Sequence, residues 1–135
     1  MFAQRPAVAP PAQPNLGLLP WFYAAGAILF LFDAARGAAF LASPGGRSQL
    51  LAGLARQGVD ASMQQGFLTV YWLVLVGFVA AAAVHGAAFY GLRRLRLWGW
   101  ISALVVAIVW SLLIVGIPVL VRLVSRDVRR AFGVD

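Results

Sequence analysis

Three side chains in this sequence could do chemistry where water is scarce: Asp33, Arg36 and His85. Asp33 and Arg36 lie within an apolar stretch from Trp21 to Leu41, and His85 lies within a second one from Phe67 to Leu92. Charges at membrane depth are costly and so call for a partner or a function. On an insertion scale a central Asp or Arg costs about 2.5–3.5 kcal/mol, while each Leu, Ile, Phe or Val returns about 0.3–0.6. The first stretch is therefore marginal as a lone span. Asp33 and Arg36 are three apart and share a helix face, so an intramembrane ion pair between them is the simplest way to satisfy both. A pair with a partner subunit's charge is the second way, and a proton- or ion-handling carboxylate the third.

His85 is the single histidine. It sits in a row of small residues, Gly77, Ala81, His85, Ala88 and Gly91, spaced four, four, three and three. That spacing makes one helix-packing seam, and small residues let helices approach closely in lipid. A buried histidine bonded across the seam is the plain reading; a ligand to a flat ring is the sharper one. At about 1.5 Å rise per residue, Asp33 and His85 differ in depth by some 15 Å, which precludes a direct pair. The same arithmetic puts Asp33 level with Leu75 on the second stretch, and with Trp110 and Ser111 on a third stretch from Trp98 to Val124. Trp110 or Ser111 could donate to Asp33. Tyr71 and Trp72 lie nearer Arg36, within reach of a cation–π contact.

The elements that must position these groups follow from the same stretches. Each is long enough to cross a bilayer, which needs about 20 mostly apolar residues. The fold class expected is all-α: an integral membrane three-helix bundle with spans at about 21–41, 67–92 and 98–124. Residues 1–20 form a tail with five prolines, and 21–135 form a single transmembrane unit. Ser43-Pro44-Gly45-Gly46 is a breaker cluster that ends the first helix. Interfacial amphipathic helices are expected at about 47–58 and 120–132. Ser62 and Gln65 match a capping box at the mouth of the second span. These assignments put the N-terminus and the 93–96 hairpin at one end, and the 42–66 loop and the C-terminal segment at the other.

Composition narrows the function. The chain has 135 residues, 62% of them hydrophobic, with no cysteine, lysine or glutamate. That excludes thiolate metal sites, cysteine nucleophiles, a lysine Schiff base and a glutamate acid/base pair. The net charge of +7 comes from arginine. Arg93, Arg94, Arg96, Arg122, Arg126, Arg129 and Arg130 lie within a turn or two of apolar segments, which suits lipid headgroups or a partner subunit and argues against nucleic acid. No nucleophile–base pair, metal cluster or phosphate loop is present in the pattern, so an enzyme is not expected. The 93–96 hairpin is the densest basic cluster, and by the positive-inside rule it places the N-terminus on the cytoplasmic side of a bacterial inner membrane.

Two patterns resemble known proteins. Ala81-x-x-x-His85, followed by Phe89 and an Arg93–Trp98 boundary, resembles the bacteriochlorophyll-binding span of light-harvesting polypeptides over about 20 residues. That resemblance implies a bacteriochlorophyll or haem ligand at His85; bis-histidine haem within one chain is excluded, because the chain has one histidine. Arg94-Leu95-Arg96-x-Trp98, with Leu123-Val124-Ser125-x-x-Val128-Arg129-x-Ala131-Phe132, is similar to a pattern in small uncharacterised bacterial membrane proteins. The expectation is a non-catalytic accessory subunit of a larger membrane complex, respiratory or photosynthetic in type. The alternatives are a pigment- or haem-binding subunit using His85 and a small ion-coupled transport component using Asp33.

Overall fold

The computed structural model describes residues 16–111 and 116–134. Most of the proline-rich tail lies outside the described residues. All described elements are helices: α1 (Leu19–Ala42), α2 (Pro44–Arg56), α3 (Ala61–Arg93), α4 (Leu97–Ser111), α5 (Gly116–Val124) and α6 (Arg126–Ala131).

Two of these, α1 and α3, are long and apolar enough to cross a membrane. Their surfaces fit that use better than a soluble core. Only 11% of the apolar window of α1 and 17% of that of α3 is buried within the chain. Ile28, Leu29, Phe32, Leu73 and Val76 all face outward. The two helices run antiparallel along their length. Trp21 meets Phe89 at one end with ring centroids 5.6 Å apart, Phe30 meets Phe78 midway at 5.8 Å, and Leu41 packs with Leu68 at the other end.

The Ser43 cluster both stops α1 and starts α2. Ser43 is the N-cap, its hydroxyl accepting from the Gly46 N–H at 3.0 Å, and Pro44 follows where a missing N–H costs nothing. Gly46 is required there, since a Cβ would run into the Phe40 carbonyl oxygen. The expected helix at 47–58 thus begins three residues earlier and ends at Arg56. The capping box is not used: α3 starts at Ala61 with Asp60 as N-cap and no side-chain cap bond, which leaves Ser62 inside the first turn.

The third expected span, 98–124, is where the structure departs most. It is two helices. At 15 residues α4 rises about 22 Å, short of the roughly 30 Å hydrocarbon core. Gly116 lies against Ala107, Trp110 and Ser111, so close that a Cβ would meet their backbone. At the far end of α5 the Leu123 carbonyl accepts from Trp100 Nε1 at 3.1 Å. α5 therefore doubles back along α4. Pro118 explains why one helix cannot continue, because its ring nitrogen offers no N–H to a preceding carbonyl and suits a helix's first turn instead. The expected amphipathic helix at 120–132 is likewise divided, between α5 and α6.

Doubling back relocates the C-terminal segment. Val128 and Phe132 join the larger core cluster with Leu19, Tyr23, Ala88, Leu92 and Leu123. The segment thus ends beside the 94–96 hairpin and the start of α1, which reverses the expectation that it lies with the 42–66 loop. A smaller cluster, Leu41, Leu68 and Leu75, holds the opposite end.

Candidate functional site

His85 is the one buried polar or charged residue among the described ones, 4% exposed. Its position on α3 faces Gly26 of α1, where a Cβ would collide with the imidazole ring. The missing side chain on α1 makes room for the ring. Around it stand Phe30, Tyr23 and Trp110, with ring centroids 5.1, 6.1 and 6.3 Å away. Tyr23 is itself fixed, its hydroxyl donating to the Ala103 carbonyl at 2.8 Å.

Both ring nitrogens are engaged. Nδ1 lies 2.8 Å from the Ala81 carbonyl, which can only accept, so Nδ1 carries the proton. Nε2 accepts from Trp110 Nε1 at 3.0 Å. A tetrapyrrole metal would need the Nε2 lone pair, and that pair already serves the indole. In this arrangement the residues around His85 do not fit the group. Buried and doubly bonded, His85 joins α3 to its own preceding turn and to α4.

Trp110 was expected beside Asp33, not His85. It lies instead against His85, Phe30 and Phe22, and helical side chains lean toward the helix N-terminus. On α4 that direction is toward His85. Gly26 and Phe30, four apart on α1, were the legible but unused sign of a slot for a ring.

The small-residue seam forms over part of its length. His85, Ala88 and Gly91 are buried and Ala81 is half-buried, whereas Gly77 is exposed with nothing close to it. Its tightest point is between α3 and α4, where a Cβ on Gly91 would strike the Gly99 Cα and the converse also holds. At the Gly77 end, Leu75 turns toward α1 instead and closes the lower contact.

Asp33 and Arg36 form no ion pair with each other, and neither has a charged partner among the described residues. Both are exposed on the edge of a groove of about 580 Å³ between α1 and α3. Gly37, Phe40, Tyr71, Val74, Leu75 and Phe78 complete it. The physical reason is that both side chains are exposed, so holding two flexible side chains in one geometry costs entropy with little to offset it. Leu75 does lie level with Asp33, as the rise per residue indicated. Gly37 lets the helices close at the groove floor, since a Cβ there would run into Leu75.

The cation–π contacts occur at the other end. The Arg93 guanidinium lies 5.9 Å from the Trp21 ring and 5.7 Å from the Phe89 ring, and Arg94 lies 5.7 Å from Tyr90. Because α5 doubles back, Arg122, Arg126, Arg129 and Arg130 join Arg93, Arg94 and Arg96 at this end. No group of three or more metal-ligating side chains occurs among the described residues.

No family model, no curated protein and no solved structure matches this chain. The two sequence resemblances gain no support from relatives, and the functional reading rests on geometry.

Proposed function

We propose that this chain is a non-catalytic accessory subunit of a larger protein complex in the bacterial cytoplasmic membrane, respiratory or photosynthetic in type. The observation that carries the reading is the groove between α1 and α3, which presents Asp33 and Arg36 unpaired at mid-helix. A carboxylate and a guanidinium at that depth are stable only when paired or hydrogen-bonded, and none of the described residues supplies either partner. A helix from another subunit, bearing complementary groups, would cover both. The outward Leu29, Phe32, Leu73 and Val76 flanking the region suit lipid or a partner equally.

Orientation follows from the arginines. Seven lie at the end shared by the start of α1 and the 94–96 hairpin, while Arg47 and Arg56 lie near the opposite end. The positive-inside rule then supports a cytoplasmic location for the basic end and two crossings by α1 and α3.

Copurification in mild detergent tests the reading. The tagged chain should elute in a discrete assembly larger than itself, and D33N or R36Q should release it. A monodisperse lone monomer from native membranes would overturn the proposal.

A further inference from the structure

The basic end of the fold contains a small pocket of about 190 Å³, lined by Arg126, Arg129, Arg130 and Val134. The three arginines are spaced so that one face of α6 presents them all. Among the described residues no carboxylate lines the pocket; Asp127 is exposed and outside its walls. Like charges at this spacing repel, and none of the described lining residues is negative to offset them. Arg129 is half-buried, yet its Nε is fully buried and has no hydrogen-bond partner. An orphaned buried donor is uncommon in folded proteins and indicates a missing acceptor.

The surroundings are built to hold this arrangement. Gly133 adopts φ +71°, and the chain closes α6 with the Val134 N–H on the Arg129 carbonyl at 3.0 Å and the Gly133 N–H on the Arg130 carbonyl at 3.1 Å. This is a Schellman cap, and it folds Val134 back as the apolar wall of the pocket. From below, Val128 and Phe132 anchor α6 in the core. The guanidiniums therefore converge from a fixed backbone.

We infer that this pocket binds a phosphate oxyanion, supplied by the headgroup of an anionic phospholipid. Arginine forks match phosphate oxygens with paired, charge-assisted hydrogen bonds. Lipid is the favoured source because of the pocket's level. Exposed Trp21, Tyr90 and Trp98 mark the same end, and such aromatics settle at the headgroup layer. Ile117, Val121 and Val124 on α5 expose an apolar face beside it, suited to acyl chains. The inference rests on α1 and α3 crossing a membrane, and not on the accessory-subunit proposal.

The test uses the full chain in nanodiscs of phosphatidylcholine, titrated with phosphatidylglycerol, with retained lipid read by native mass spectrometry. R129Q should weaken retention about tenfold, while R94Q, at the same end but outside the pocket, should change it less than about twofold. R129K keeps the charge and removes the fork; if folded, it should fall between wild type and R129Q. Equal losses in R129Q and R94Q, or no preference for the anionic lipid, would overturn the site. In a parallel arm, inorganic phosphate is added to phosphatidylcholine discs. Saturable phosphate binding there that R129Q abolishes, without phosphatidylglycerol retention, would overturn the lipid source. Failure of the chain to enter discs at all would instead overturn the membrane reading, and is scored before any lipid is added.

Discussion

Trp110 donates its indole N–H to His85 Nε2 at 3.0 Å, tying α4 to α3 through a buried imidazole. The bond also decides the tautomer, since Nδ1 must then carry the proton that it gives to Ala81. A residue that sequence pattern alone offers as a metal ligand is thereby committed to packing.

Trp110→Phe should leave that nitrogen without a donor. An unsatisfied buried acceptor costs about 1–3 kcal/mol, so the melting temperature in detergent should fall by several degrees. The His85 Nε2 nitrogen resonance should shift as its hydrogen bond is lost. An unchanged melt and resonance would show that the bond does not form in solution.

Gly26→Ala should be more damaging than its size suggests, because the new methyl group meets the imidazole ring. We expect a loss of about 1–3 kcal/mol, typical of overpacking. Gly86→Ala, where nothing lies within reach of the added carbon, should be neutral or slightly stabilising. The pair, measured by thermal melts in one detergent, separates helix propensity from the fit of the slot.

The seam makes a parallel contrast. Gly91→Ala pushes α3 away from Gly99 of α4 and should destabilise the 91–99 crossing, whereas Gly77→Ala should not. Equal effects of the two changes would mean that α3 buries a different face from the one described.

Topology is testable cleanly because the chain has no cysteine of its own. Single cysteines in R96C and D127C should react with a membrane-impermeant maleimide from the same side, and R56C from the opposite side. Labelling of D127C together with R56C would restore a continuous span through 98–124.

Much of the fold was legible in the sequence because apolar length is a strong signal. The two long apolar helices α1 and α3, a helix after Ser43 and the level of Leu75 opposite Asp33 all follow from stretch lengths and rise per residue, although α3 starts six residues before the expected 67. What escaped were features set by backbone direction and side-chain lean. Gly116 and Pro118 lie inside an unbroken apolar run, so their role in starting a new helix is masked by the hydropathy around them. The rise per residue offers Trp110 to Asp33, while its ring meets His85 and Phe30 instead. Asp33 and Arg36 have the spacing for an ion pair, but spacing does not supply the packing that would hold one.

The doubling back of α5 along α4 also bears on how such a chain is made. On the two-crossing reading, everything after Arg93 is synthesised and folded on the side where it emerges. Only the segment from Ser43 to Asp60, carrying α2, has to be carried through the bilayer. The insertion machinery thus exports one short amphipathic helix, and the arginine-rich remainder, six arginines with their hydration, never faces the hydrocarbon barrier.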